Sequence, residues 1–224
     1  MSHALLNERL LELPLFQGMS KGDIEEVVSS TKFVHRSYAK GKTIINEDDT
    51  CDSLYFLVKG TISATSHADD NGYSITETFT APEIVQPERI FGLTQRYTCT
   101  IKSLTDCTFI SLGKMETLTL ADRYEIFRLN LLNMICTKSQ RLTRFPWRTQ
   151  PKDIRHKIAR FVETRCLKPA GEKTVHIKME RLSDEINESR LNVSRELNTM
   201  NNEKIIALRR GEIQIFALEK IIKG

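Results

Sequence analysis

Nowhere in its 224 residues does the chain carry an apolar run approaching the roughly 18–20 residues of a membrane span. The opening segment MSHALLNERLLELPLF has no apolar core long enough for a secretory signal. The five cysteines (Cys51, Cys99, Cys107, Cys136, Cys166) are odd in number, scattered, and never paired as CxxC. That spacing argues against a disulfide framework or a zinc site, and suggests reduced thiols in a cytoplasmic protein. Also missing are HExxH, GxSxG, GxxxxGK and GxGxxG, together with any acidic pair that has a matching base. Asp48-Asp49 and Asp69-Asp70 lie in turn-like stretches and read as solvated loops. No enzyme is expected, and no metal. There is no low-complexity segment and no internal repeat.

What the chain does have is unevenly placed charge. From Pro146 to the end there are 17 Lys/Arg against 11 Asp/Glu, a net of +6, while the preceding residues hold 16 against 18. The positive balance therefore falls on the segment that carries the stretch IKMERLSDEINESRLNVSRELNTMNNEKIIALRRGEIQI (Ile177–Ile215). Leu182 and Ile186, four apart, share one helical face. Val193, Leu197 and Met200 form a single stripe on a second helix, with Leu191, Arg195, Asn198 and Asn202 opposite. Asn187 suits a left-handed turn between the two helices, and Ser189 can cap the second. The spacing predicts a helix-turn-helix followed by a hairpin wing, a DNA-binding arrangement.

Three segments are expected: a β domain over residues 1–113, a helix over 114–145, and a winged helix-turn-helix domain over 146–224. In the first, strand-length apolar runs at Thr43–Ile45, Leu54–Val58, Thr61–Ala64, Ser74–Phe79, Tyr97–Ile101 and Thr108–Leu112 alternate with turn residues. Many short strands at this spacing indicate a β jelly roll or barrel, so the overall class is α+β. After Gly113 the helical stretch lacks Pro and Gly until FPWRTQP (Phe145–Pro151), which marks a boundary. It carries two apolar sets: Ile126, Leu129, Leu132, Ile135 and Cys136, and Phe127, Leu131, Met134, Leu142 and Phe145. A small β domain cannot cover both, so a two-fold dimer seam is expected, assigned to the second set. Beyond the boundary a helix over Asp153–Arg165 buries Ile154, Ile158, Phe161 and Val162, and a strand at Thr174–Ile177 leads into the helix pair.

LPLFQGMSKGDIEEVV (Leu13–Val28), YAKGKTIINEDDTCDSLYFLVKGTIS (Tyr38–Ser63), the long helix and the winged helix-turn-helix together resemble the Crp/Fnr family of bacterial transcription regulators. The resemblance spans nearly the whole chain. It implies a cyclic-nucleotide-binding-type sensor domain and a homodimer that sets two recognition helices into successive major grooves of a pseudo-palindromic operator, with RNA polymerase as a further partner. Ser189-Arg190 matches the start of the family's recognition helix and Arg195 its second arginine. Either guanidinium can grip guanine O6 and N7 bidentately. Leu191 stands where the best-known branch has Glu; it cannot accept a hydrogen bond but can meet a thymine methyl, which implies a different operator. Asn192 and Asn198 complete the reading face, while Lys178, Arg209 and Arg210 are expected on phosphates.

The resemblance also implies a nucleotide pocket built from Gly-Glu and, some ten residues later, Arg-Ser. Without gaps, Gln86-Pro87 and Tyr97-Thr98 occupy those places. Phe91-Gly92 lacks the following Glu, and Arg96 lies one residue out of register, which on a strand is the opposite face. Gln86, Arg96, Tyr97 and Thr98 are thus expected to form a degenerate effector pocket that takes no cyclic nucleotide in the usual manner, and no cofactor is expected. An iron–sulfur sensor would need clustered N-terminal cysteines, and a haem sensor an axial ligand for which only the isolated His35 and His67 offer themselves. The alternative to a DNA-binding regulator is a module of this type that acts through protein contacts.

Overall fold

The computed structural model describes residues 3–151 and 153–223. They pack as two compact units that are not consecutive in the chain. One runs to Ile62 and resumes over Phe79–Arg141; the other joins Ser63–Thr78 to everything from Leu142 onward. The expected division by chain order therefore differs from the packing in two ways. The later boundary falls at Arg141/Leu142, and a hairpin from the expected β domain belongs to the second unit.

The first unit opens with α1 (His3–Glu12) and α2 (Lys21–Ser30), the latter started by a capping box in which Ser20 and Asp23 exchange side-chain and backbone hydrogen bonds. The strands that follow in the chain are β1 (Val34–Tyr38), β2 (Thr43–Ile45), β3 (Ser53–Lys59), β4 (Thr61–His67), β5 (Tyr73–Thr80), β6 (Glu83–Val85), β7 (Thr100–Ser103) and β8 (Cys107–Gly113), of which β4 and β5 fall mostly in the second unit. They form an antiparallel β-sandwich, as the resemblance implied. One sheet has the order β1-β8-β3-β6, and β2 pairs with β7. Leu54, Phe56 and Leu57 on β3 and Phe109, Ile110 and Leu112 on β8 are all buried in the core. The β3–β4 turn requires Gly60: at φ 99° a Cβ there would lie 2.6 Å from the Asp106 carbonyl oxygen. β1 was not legible in the sequence because four of its five residues are exposed, which erases any apolar alternation.

The expected single helix over 114–145 is two, α3 (Lys114–Arg123) and α4 (Glu125–Arg144). The break falls at Tyr124, which no Pro or Gly announces. Its backbone turns extended, and its hydroxyl donates to Glu26 Oε2 at 2.8 Å, with Arg123 paired to the same carboxylate.

The second unit contains α5 (Ile154–Glu163), β9 (Lys173–Ile177), α6 (Met179–Ile186), α7 (Arg190–Asn202), β10 (Ile206–Arg209), β11 (Glu212–Ile215) and α8 (Leu218–Lys223). Ile158, Phe161 and Val162 of α5, Leu182 and Ile186 of α6, and Val193, Leu197 and Met200 of α7 close on Val175, Ile213 and Ile215 of the sheet. In that sheet β11 lies between β10 and β9, and β5 pairs with the other edge of β9 from Tyr73↔Ile177 to Glu77↔Lys173. Ile75, at the middle of this ladder, is a member of the same core.

Candidate nucleic-acid interface

The turn between α6 and α7 is built from local chemistry. Asn187 takes φ 51° and ψ 58°, a left-handed conformation that Asn tolerates, and its N–H reaches back to the Asp184 carbonyl at 3.2 Å. Two residues on, the Ser189 hydroxyl accepts from the Asn192 N–H at 3.2 Å and starts α7. The apolar stripe of α7 is wholly enclosed, with Val193, Leu197 and Met200 each 0% exposed. Burial of that stripe fixes what faces solvent: Arg190, Leu191, Asn192, Arg195 and Asn198 are all exposed, as the spacing required. Leu191, 67% exposed, is an apolar side chain presented on a polar face.

The two arginines of that face are held loosely. Arg190 lies 3.5 Å from Glu180 in a pair that is largely exposed on both sides, so the contact is screened and exchangeable. Arg195 makes no ion pair among the described residues. Lys178 N-caps α6 with its own side chain exposed. Arg209 and Arg210 sit at the β10–β11 turn, where Gly211 takes φ 73°; Arg209 is 3.5 Å from Glu212 across that turn. All nine residues assigned to this face by the sequence thus lie on the exposed surface of α6, α7 and the wing.

Sequence reasoning missed the residues that set the pose of α7. Arg155 on α5 bonds Glu196 at 2.8 Å and Glu203 at 2.9 Å, and Lys157 bonds Glu188 in the turn at 2.6 Å. Glu196 on α7 and Glu203 at its C-cap are seven apart, a visible spacing, but nothing local names Arg155 as their partner. His176 on β9 lies 3.8 Å from Glu212, beside the wing arginines.

In the first unit, two of the four expected effector-site residues are brought together. Gln86 is buried in a left-handed conformation (φ 37°), where glycine is favoured. Its amide clasps Thr98: Nε2 donates to Thr98 Oγ1 at 2.6 Å, and Oε1 accepts from the Thr98 N–H at 3.0 Å. Tyr97 points into the core, its hydroxyl donating to the Ser53 carbonyl at 3.1 Å, and burial pushes its ionisation well above the ordinary tyrosine range. Arg96 points elsewhere, donating to the Asp48 carbonyl at 2.6 Å. Lys138 of α4 pairs with Glu88, close after Gln86 in the chain.

The dimer seam expected at Phe127, Leu131, Met134, Leu142 and Phe145 needs correction. Phe127 is 0% exposed and Leu131 only 6%, and Phe127 stacks on Phe16 with ring centroids 5.2 Å apart, so both are spent on the core of their own protomer. Met134 and Phe145 are half-buried, and Leu142 alone of the five is exposed. The unpartnered face of α4 is instead the other set: Ile126, Leu129 and Leu132 are 40%, 48% and 50% exposed, with Cys136 also exposed. No described helix is long and apolar enough to cross a membrane, and no group of three or more His, Cys, Asp or Glu among the described residues could hold a metal ion.

Residues 35–124 match the family model described as a cyclic nucleotide-binding domain. No curated protein matches the sequence. Among solved structures, the chain is similar to the catabolite activator protein of Thermus thermophilus with a TM-score of 0.51 at 21% identity, over 94% of this chain and 99% of that one. A transcriptional regulator of the crp/fnr family from Eubacterium rectale gives 0.51 at 17% identity, over 95% and 99%. The sensor domain of the transcriptional regulator DNR from Pseudomonas aeruginosa gives 0.54 at 16% identity, over 68% of this chain and 98% of that one. The resemblance read from the sequence thus holds for the cyclic nucleotide-binding-type domain and for the fold.

Proposed function

We propose that this chain, which has the Crp/Fnr fold and a cyclic nucleotide-binding-type domain, is a sequence-specific DNA-binding regulator of transcription that acts as a homodimer. The observation that carries the reading is α7: an enclosed stripe of Val193, Leu197 and Met200 forces Arg190, Leu191, Asn192, Arg195 and Asn198 outward on one exposed face. Arg190 and Arg195 take guanine edges in a major groove and Leu191 meets a thymine methyl. Lys178, Arg209 and Arg210 neutralise phosphates, which positions the helix without specifying sequence. The second copy docks on the Ile126, Leu129 and Leu132 face of α4, which leaves two recognition helices for a pseudo-palindromic site. Such a regulator works in the cytoplasm, where the DNA and RNA polymerase it addresses are found.

The reading extends to the effector. The Gln86–Thr98 clasp spends on itself the polar groups at the two positions where a cyclic nucleotide would be gripped, and Arg96 is turned to Asp48. The protein therefore reads DNA without cyclic AMP or cyclic GMP. The test is selection from a random duplex pool by the untreated protein at about 0.1 M salt, since affinity without a stated salt means little. Enrichment of a two-fold symmetric motif is expected. Binding to no duplex above random DNA, with or without cell extract, would favour a module that acts through protein contacts.

A further inference from the structure

The hairpin of β4 and β5 is anchored at its base in one unit and built into the other at its tip. At the base, Thr61 N–H donates to Thr105 Oγ1 at 2.9 Å and Ala81 N–H to the Gly60 carbonyl at 3.0 Å, all within the first unit. Beyond Ile62 the hairpin is a working strand of the second unit. Across the β5–β9 ladder Glu77 stands directly opposite Lys173, and Oε2 and Nζ are 3.1 Å apart with both side chains 2% exposed. Glu77 also accepts from the backbone N–H groups of Leu167 and Lys168, just past the end of α5, and Lys173 donates to the Ala170 carbonyl at 2.7 Å. Two charges this deeply buried are tolerable only because each has additional hydrogen bonds. Removing one strands the other, which is among the costlier single changes a fold can suffer.

The tip continues the grip. Tyr73 packs on Phe161 of α5 with centroids 5.2 Å apart, and its hydroxyl accepts from Arg165 Nε at 2.7 Å. Asp70 pairs with Arg181 of α6 at 3.0 Å, and Arg165 and Arg181 share Glu185 at 2.8 Å each. Ile75 lies in the same core as Val193, Leu197 and Met200 of α7. A continuous set of packed and bonded groups thus runs from the hairpin to the helix proposed to read DNA, although no hairpin residue lies on the reading face.

We infer that Glu77 and Lys173 are positioning residues for α7, acting through the hairpin strand that they key into β9. This rests on the function proposed above. Pulling the hairpin from β9 would loosen the end of α5, then α6, then α7.

Hydrogen–deuterium exchange on the full chain tests this independently of DNA. Glu77→Gln should speed exchange in β9 and in α7 by roughly tenfold or more, while β3 and β8 keep their protection. The double variant Glu77→Gln/Lys173→Met, which removes both charges but keeps a side-chain oxygen for the Leu167 and Lys168 N–H groups, should restore α7. Tyr73→Phe, which loses only the Arg165 bond, is the milder variant should Glu77→Gln fail to fold, and should speed the same segments less. Unchanged α7 protection in both single variants would overturn the inference. So would equal loss of protection in β3 and β8, or failure of the double variant to restore α7. If exchange behaves as expected and the wild-type protein still binds no duplex above random DNA, the hairpin assignment stands and the proposed DNA reading falls.

Discussion

Arg155 Nε lies 2.8 Å from Glu196 Oε1, and this bond ties α5 to α7, the helix proposed to read DNA. Its Nη2 reaches Glu203, the residue that caps the C-terminal end of α7. Arg155→Met should therefore lower urea stability by about 1 kcal/mol, a modest loss because both pairs are partly solvated. It should also weaken specific DNA binding although Arg155 is not on the reading face. Unchanged affinity would mean that α7 is posed by its apolar stripe alone.

Arg195 and Arg209 should separate specificity from attraction. Arg195→Ala is expected to cost roughly 1–3 kcal/mol on the preferred site and to relax base preference at one position. Arg209→Ala should weaken all duplexes alike and reduce the slope of log affinity against log salt by about one. Titrations at several salt concentrations on specific and random DNA check both. Equal losses on the two DNAs for Arg195→Ala would demote that residue to a phosphate contact.

The sequence disclosed the helix pair because its signals are local. Leu182 with Ile186, and Val193 with Leu197 and Met200, announce buried faces within a few residues, and Asn187 and Ser189 announce the turn and the cap. What it concealed is long-range. Phe127 and Leu131 look like any apolar stripe until Phe16 is known to fill the space beside them. Glu77 reads as a polar position on an exposed strand face, yet it is buried because Lys173, far away in the chain, arrives opposite it. The clasp of Gln86 on Thr98 is equally invisible, since it depends on a left-handed backbone at a residue that seldom adopts one.

The proposed dimer face makes its own prediction. Leu129, Leu132 and Cys136 follow the three-then-four spacing of a two-stranded seam, in which each position meets its own copy across the two-fold axis. Leu132→Glu should shift the protein to monomer in sedimentation. Mild oxidation with copper phenanthroline should join Cys136 of two copies in a disulfide, and Cys136→Ser should abolish that band on a non-reducing gel. A Leu132→Glu protein that remains dimeric would place the seam elsewhere.

Asp153 caps α5, accepting from the His156 N–H at 2.9 Å, and that hydrogen bond holds its carboxyl below the usual aspartate range, helped by the facing imidazole. A folded-state value below the unfolded one means the cap stabilises above about pH 4 and is lost as pH falls through the lower folded value. Asp153→Ala should cost about 1 kcal/mol at pH 7, and the difference from wild type should shrink on acidification below about pH 4. A difference independent of pH would show that the carboxylate is not the capping group.

The spacing of two half-sites tests the central claim most directly. Once a preferred site is known, affinity is measured for that site and for one with about five base pairs inserted at its centre, which turns one half-site by roughly half a helical turn. Two copies of α7 held in fixed relation predict a large loss on the lengthened site, recovered when about ten base pairs are inserted only if the dimer can bridge the added turn, together with two chains bound per natural site. Equal affinity for the natural and five-base-pair sites, with one chain bound per half-site, would contradict the dimeric reader.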